Sequence, residues 1–510
     1  MEHPITAPWG VHITSADFMK LRSGFQPKDM DDKWICVADK PDHRGSIVVH
    51  WRRSWTGNER IALRVSRKSD GAEIVEITWE RDTGVNQVSE TAAKGLATQL
   101  CQNLLGCEWV IGTKTSPNPL NVILSNSRSF HARHSRPISN STTLEGLLST
   151  KSIREADLHK YIESTRIIVH PIAYKIAKDF LAYKKIYGSK TEHLVYGKQI
   201  KWSLSQFLVR LVKQRPLAFY GQNDITLLRN HKMLGPASSL WDLVGSDHES
   251  KDITMHDYLT YEEMMISSLI GVSGYTPFLN DGNRFNRGIK GKPGSFQLEG
   301  VEVGLVGARF ERKGKMDSVY VDSKNVDGFA FNTYFKGKSF EERYKTRISI
   351  TIETLLREAE DRGGNAHQKT YLHVVGLGLG AWMIDKEQSR WYIEGFTHAL
   401  WNLKLQCIAV LEFAYIDVDA ITRANVEKAA QKIGAQCVFN RRAPSTKLKD
   451  PSLLLVVSYA WDANAYPGNE YYNGLLDATG DPAAACSSAI SETQNPEINT
   501  NMLKSIVVLN

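Results

Sequence analysis

The spacing of apolar positions changes several times along the chain, and each change marks an element boundary. The short β-branched runs GSIVVHW (45–51), RIALRV (60–65) and EIVEITW (73–79) read as strands, the first two joined by the turn-rich RRSWTGNE. From Ser89 to Leu105 the period becomes helical, with Ala92, Leu96, Leu100 and Leu104 on one stripe and Ser89 placed to cap it. A small α+β module over residues 1–111 is therefore expected. Residues 112–150 are rich in Ser, Thr, Asn, Pro and basic side chains with little periodic apolar content, which predicts a flexible linker.

Helical spacing returns over Ile153–Tyr183 and Trp202–Gln214, so 151–250 is expected to be a helical extension. A helix from Tyr261 ending near Gly271 and a loop, TPFLNDGNRFNRG, follow. Strands are then expected at 300–311, 318–322, 371–378, 406–413, 436–440 and 452–461, with helices at 339–360, 389–403 and 424–433. Strands that alternate with helices, and are themselves nearly continuous apolar runs, predict an α/β body over 151–510 whose sheet is covered on both faces.

Composition narrows the class without deciding it. A chain of 510 residues with 42% hydrophobic and 23% charged positions is ordinary globular material, long enough for two to four domains. Its net charge of +7 is mild and forms no single basic stripe, so a dedicated nucleic-acid binder is not indicated. The longest apolar stretch, Leu453–Trp461, falls well short of a membrane span, and MEHPITAPWG lacks the layout of a signal peptide. An intracellular protein of the cytoplasm or nucleus is the expectation. Six cysteines form no CxxC pair, and no Cys/His set has ligand spacing, so reduced thiols and no metal or cofactor are expected. His131 and His134 fall in the linker and are expected to be solvated.

Three stretches carry candidate chemistry. In VVGLGLGAWMID a buried strand runs into Gly376, Gly378 and Gly380, followed by Ala381 and Trp382. Missing side chains there would let backbone N–H groups approach a phosphate or pyrophosphate at the start of the next helix. The same glycines satisfy a relaxed dinucleotide fingerprint, with only Glu412 as acidic partner on the next strand, or serve tight strand–helix packing.

In SYAWDANAYPGNEYYNGLLDATGDPAAACSS, a strand delivers Asp462 to its carboxyl end. Asn464, Tyr466 and Asn469 line the turn, Glu470 follows, and Asp481 opens an Ala-rich helix. Three carboxylates separated by turns could converge for acid–base work or stabilise an oxocarbenium ion at a sugar carbon. The plain alternative makes Asp462 a turn residue and Asp481 a helix cap. In YTPFLNDGNRFNRG, Phe278 could stack on an adenine while Asn280, Asp281 and Gly282 hydrogen-bond a ribose, or the segment is a solvated Asx turn.

With those residues in view, YEEMMISSLIGVSGYTPFLNDGNR, GVEVGLVGARFE, HVVGLGLGAW and SYAWDANAYPGNEYYNG with GDPAAACSSAISETQNPEIN, spanning about 255–502, resemble the MavL-like divergent macrodomains, relatives of poly(ADP-ribose) glycohydrolase. The resemblance implies a macrodomain-like three-layer α/β/α body that binds ADP-ribose. It also implies an enzyme that removes ADP-ribose from a modified protein side chain, arginine first, with ubiquitin as a candidate protein. Asp462, Glu470 and Asp481 fall on the family's acidic positions, Glu470 with a longer arm than the aspartate of that pattern. The run of three glycines and Gln-Glu-Glu of chain-cleaving glycohydrolases is not in this sequence. A reader that binds ADP-ribose without cleaving it is the alternative.

Near the amino terminus, HWRRSWTGNE packs Trp51, Arg52, Arg53 and Trp55 into one hairpin, a set that could clamp a phosphate or planar ring or merely supply a core Trp and surface Arg. Its H-x-R-R-S-W-T-G string resembles a small module that accompanies macrodomains, and selection of the protein target is the expected role.

Overall fold

Alternating burial closes the amino-terminal module around one antiparallel sheet. The computed structural model describes residues 1–27, 32–42, 45–68, 71–81, 88–108, 119–134, 142–197, 203–220, 225–235, 240–309, 328–462 and 464–509. These fall into two compact units, Met1–Asn118 and Pro119–Asn510. In the first, β1 (Pro4–Ile13), α1 (Ser15–Ser23), β2 (Trp34–Ala38), β3 (Ile47–Arg53), β4 (Glu59–Lys68), β5 (Gly71–Glu80) and α2 (Glu90–Leu105) follow in order. The sheet order is β1-β5-β4-β3-β2. Val49, Trp51, Leu63 and Ile77 fill its core. The edge strand β1 escapes the hydrophobic pattern because it contains Pro4 and Pro8, tolerated where no ladder partner lies outside. Ser89 caps α2 by accepting the Ala92 N–H, but the buried stripe is Ala93, Ala97, Leu100 and Cys101, one residue round from the expected one. Trp51 is core, whereas Trp55 is 75% exposed at the hairpin tip.

The stretch expected as a flexible linker is ordered where it is described. Helix α3 (Pro119–Arg133) buries Leu120, Ile123 and Phe130, and α4 (Leu144–Ser149) buries Leu144 and Leu147. Three widely spaced apolar residues on an otherwise polar helix do not read as a period, yet they suffice to dock one face. Glu492 anchors both helices, accepting from Ser127 Oγ at 2.8 Å, from the Leu144 N–H at 2.9 Å, and lying 2.7 Å from His131 Nε2. His131 is thus enclosed rather than solvated, and buried His134 meets the His231 ring at 2.9 Å between nitrogens.

The segment expected as a helical extension also holds strands. After α5 (Glu155–Ser164) comes β6 (Arg166–Val169), then α6 (Pro171–Tyr187), α7 (Lys190–Val195), α8 (Leu204–Lys213), a small sheet of β7 (Ala218–Tyr220), β8 (Ile225–Leu227) and β9 (Met233–Leu234), α9 (Leu240–Leu243) and α10 (Tyr261–Ser267). The run RIIV fits a helical stripe as well as a strand, and Pro171 at the first turn of α6 decides where the helix restarts.

The main sheet is completed by β10 (Ile270–Pro277), β11 (Glu299–Leu305), β12 (Thr370–Val374), β13 (Ile408–Ala414), β14 (Gln436–Asn440), β15 (Leu454–Ala460) and, late in the chain, β16 (Ile506–Val508). Gly271 lies inside β10 rather than ending a helix. Strand 318–322 of the sequence reading lies outside the described residues. The order is β14-β13-β12-β15-β11-β10-β6-β16, parallel from β14 through β11, with β10 antiparallel to β11 and to β6. Leu411, Leu372, Val456 and Val301 point to one face, covered by α11 (Phe340–Ala366), α12 (Gln388–Asn402) and α13 (Ala420–Lys432). The opposite face packs on the earlier helices together with α14 (Gly480–Ser487) and α15 (Ile490–Thr493). The α/β body with helices on both faces follows from those alternating strands.

Candidate functional site

Three neighbouring parallel strands, β12, β15 and β11, end at the same edge of the sheet. Open α/β sheets present ligands at such carboxyl ends, where the next loops diverge. Here β12 leads into the glycine loop, β15 into Trp461 and Asp462, and β11 into Gly307, Ala308 and Arg309. The Trp461 N–H donates to the Leu305 carbonyl at 2.9 Å, so the chain leaves β15 still paired to β11.

The three acids of the carboxy-terminal motif meet there. Asp481 sits in the first turn of α14, but Thr479 holds the cap position, so Asp481 is not the cap that its place before Pro482 suggests. Its Oδ1 accepts the Gly468 N–H at 2.9 Å, while Oδ2 is buried with no hydrogen-bond partner among the described residues. Burial, reinforced by the charges of Asp462 and Glu470 beside it, pushes the Asp481 carboxyl well above the ordinary carboxylate range. Glu470, in the 3-10 turn Asn469–Asn473, is only 4% exposed and accepts from Thr479 Oγ1 at 3.1 Å. Acids in one low-dielectric site whose surroundings push their carboxyls apart can divide acid and base roles between them. Asn464, two residues beyond Asp462, is wholly buried, and neither its Oδ1 nor its Nδ2 has a partner among the described residues. A buried amide whose two ends find no protein partner is costly unless a polar ligand meets it. Asn469 opens the 3-10 turn directly after Gly468.

The glycine loop departs from its expected geometry. Helix α12 begins only at Gln388, so the loop does not run into a helix amino terminus, and its phosphate reading loses that dipole. The dinucleotide fingerprint fails for the same reason, and Glu412 is fully buried against His373 Nδ1 at 2.6 Å and Arg442 at 3.0 Å. What the glycines do is permit close backbone contact. Gly378 has φ +77°, and a Cβ on Gly307 would lie 2.3 Å from its nitrogen. The β12 and β11 loops are thereby pressed together. Gly376 is half-buried beside Leu379, whereas Gly380 and Ala381 are exposed, with open space above Gly380. The half-buried Trp382 ring lies 5.4 Å from the guanidinium of Arg309, a cation at the end of β11 that is itself 1% exposed.

The third constellation is structural at the positions expected to bind. Phe278 is core, packed with Phe296, Leu448, Leu455 and Val457, and cannot stack on a base. Asn280 closes the loop: its Nδ2 donates to the Cys486 carbonyl at 3.3 Å and the Ile289 carbonyl at 3.1 Å, and its Oδ1 accepts the Gly282 N–H at 2.9 Å. Asp281 makes an Asx turn with the Asn283 N–H at 3.0 Å, and Gly282, at φ +81°, lies against Pro444 and Ser445. The exposed aromatic of this loop is Phe285, at 69%. Tyr466 is likewise a framework residue, wholly buried and donating to Glu497 Oε1 at 2.7 Å and to the Lys213 carbonyl at 3.1 Å.

Sequence reasoning passed over Glu302 and Arg309. Glu302 points from the middle of β11 to the face that carries α14, with Ser488 Oγ at 2.6 Å, and burial pushes its carboxyl up to about 8. When ionised, it also raises the Asp481 carboxyl. A lone acid in the otherwise apolar run VEVGLV was the available signal, since a charge in a doubly covered strand needs a reason. Among the described residues no group of three or more His, Cys, Asp or Glu side chains could hold a metal ion, and no helix is long and apolar enough to cross a membrane.

A family model described as ADP-ribosylhydrolase MavL-like matches residues 129–326 and 317–508, spanning the whole carboxylate cluster. The chain belongs to the MavL-like ADP-ribosylhydrolase family. This MavL-like chain is therefore a hydrolase acting on an N-glycosidic bond of ADP-ribose. It is 31% identical over 408 residues to the ADP-ribosylarginine hydrolase CG3568 of Drosophila melanogaster, covering 69% of this chain and 78% of that protein. It is 28% identical over 403 residues to the ADP-ribosylarginine hydrolase CG2909 of the same organism, covering 68% and 79%.

Proposed function

We propose that this hydrolase removes ADP-ribose from arginine side chains of modified proteins, ubiquitin among them, on a macrodomain-like body. The observation that carries the reading is the convergence on one carboxyl edge of the sheet of Asp462, Glu470 and a buried Asp481 whose carboxyl is pushed well above the ordinary range. Breaking the bond between the ribose anomeric carbon and the guanidine nitrogen sends the electron pair to nitrogen and leaves positive charge on the sugar. Asp481, whose carboxyl burial pushes well above its usual range, serves as the acid that supplies the departing nitrogen with a proton. Asp462 stabilises the cationic sugar and accepts a proton from the water that attacks it. Asn464 offers a buried amide to the ribose hydroxyls. Arg309 and the glycine loop at 376–382 supply a cation and backbone at the diphosphate end. The arginine linkage draws on the two Drosophila relatives, and ubiquitin on the family resemblance alone.

The test is incubation with Arg-, Ser- and Glu-linked ADP-ribosylated proteins, including arginine-modified ubiquitin. Release of free ADP-ribose from the arginine-linked substrates is expected. Tight ADP-ribose binding in calorimetry with no release from any of them overturns catalysis in favour of a reader.

A further inference from the structure

Arg215 lies between α8 and β7, is 0% exposed, and has no carboxylate partner among the described residues. Three main-chain carbonyls hold it instead: Leu211 at 2.7 Å from Nε, Ser267 at 3.4 Å and Ala465 at 3.5 Å from the two terminal nitrogens. Leu211 and Ser267 belong to the last turns of α8 and α10, whose carbonyl ends carry partial negative charge. The guanidinium also lies 4.0 Å above the Trp461 ring. Helix ends and an aromatic face thus replace a counter-ion, which explains how a buried arginine stays charged at neutral pH although burial pulls it down to about 9.

The location of the fourth contact gives Arg215 its importance. Asp462 and the amide of Asn464, without a partner among the described residues, lie in sequence between Trp461 and Ala465, and Trp461, Ala465 and Tyr466 all touch the segment 213–216. Ala465 C=O accepts from both Trp461 Nε1, at 2.9 Å, and Arg215. Next to it, the Tyr466 N–H donates to the Pro216 carbonyl at 3.1 Å and the Tyr466 hydroxyl to the Lys213 carbonyl at 3.1 Å. Arg215 therefore grips the residue before the turn's acid, through the indole, and the residue after its amide, through the carbonyl.

We infer that Arg215 is a positioning residue for the hydrolysis, holding the Asp462–Asn464 turn in register with the ribose and making segment 203–220 part of the catalytic apparatus. The inference rests on the proposed role of Asp462. An acid displaced by about 1 Å loses on the order of 100-fold in rate without losing substrate affinity in proportion. Lysine keeps the charge of Arg215 but has no planar fork with which to span two carbonyls and a ring.

The test compares full-length wild type, Arg215→Lys, Trp461→Phe and Asp462→Asn, alone and as the Arg215→Lys/Asp462→Asn pair. The readouts are kcat and KM on an arginine-linked substrate, calorimetric ADP-ribose affinity and the unfolding midpoint. Arg215→Lys should lower kcat roughly 10- to 100-fold with KM and ADP-ribose affinity within about 3-fold. In the Asp462→Asn background it should have almost no further effect, because both changes spoil one acid. If Arg215→Lys does not fold, Trp461→Phe, which removes the N–H to Ala465 and keeps the ring, must show the same kcat-only loss. Wild-type kcat in either folded variant, or a loss that multiplies with that of Asp462→Asn, overturns the positioning role. A wild type that binds ADP-ribose but releases none overturns the hydrolase reading, and this inference with it.

Discussion

The backbone N–H of Gly468 donates to Asp481 Oδ1 at 2.9 Å, tying the turn after β15 to the first turn of α14. That bond satisfies one carboxyl oxygen and leaves Oδ2 buried without a partner among the described residues, so the group is oriented while burial pushes its carboxyl up. Asp481→Asn preserves shape and the acceptor for Gly468 but has no acidic proton. Its unfolding midpoint should stay within a few degrees of wild type while turnover of arginine-linked ADP-ribose falls about 100-fold or more. Retention of turnover by a folded Asp481→Asn protein would remove Asp481 as the acid.

Glu302 makes stability depend on pH. Its carboxyl titrates at about 8 in the folded chain and in the ordinary glutamate range when unfolded. Between those values the folded state holds a proton that the unfolded state releases, so stability is greatest at the acid end and is lost as pH rises towards 8. The group contributes a slope of up to about 1.4 kcal/mol per pH unit. Urea unfolding between pH 5.5 and 7.5 should show Glu302→Gln with a shallower decline than wild type; identical slopes would show that Glu302 is ionised throughout.

Gly378 and Gly380 should respond differently to the same added methyl. At Gly378, φ is +77° and a Cβ would sit 2.9 Å from the Ala308 carbonyl oxygen, whereas at Gly380 nothing lies within 4 Å. Gly378→Ala is expected to cost about 1–3 kcal/mol of stability and to weaken ADP-ribose binding at least roughly tenfold by parting the β11 and β12 loops. Gly380→Ala should leave stability within about 0.5 kcal/mol, and denaturant unfolding with calorimetry separates the two.

The amino-terminal module has its own core of Val49, Trp51, Leu63, Ile77 and Ala97. Deleting residues 1–118 should therefore leave ADP-ribose affinity and cleavage of a small arginine-linked substrate within about 3-fold of the full chain, while KM for a modified protein rises. Equal losses on small and protein substrates would refute target selection by the module.

Elements that could be read from the chain were those whose pattern admits one period. Strand β14 runs over Gln436–Asn440 as expected, Ser89 caps α2, and the alternation from β12 to β15 gave the α/β class. Strand β6 was hidden because four apolar residues between two amphipathic helices fit either period, and α3 because Leu120, Ile123 and Phe130 are too sparse to mark a stripe. Phe278 and Tyr466 illustrate the same limit at the site. An aromatic beside polar residues looks like a ligand platform in one dimension, and only packing against Leu455 and Val457, or a hydroxyl bonded to Glu497, reveals a framework role.

By itself the sequence determined the class of the body, the residue types available for chemistry and the order in which they occur, because periodicity and composition are local properties of the chain. Tertiary structure alone decided which acids share a dielectric environment. Asp462, Glu470 and Asp481 are separated by up to 19 positions, with Glu302 on another strand, yet burial and the charges it brings together push the Asp481 carboxyl well above its usual range. It also decided that Arg215, some 250 positions before Ala465, anchors the turn beneath them. Charge states and orientations depend on distance through space and on exclusion of water, neither of which is written in sequence separation.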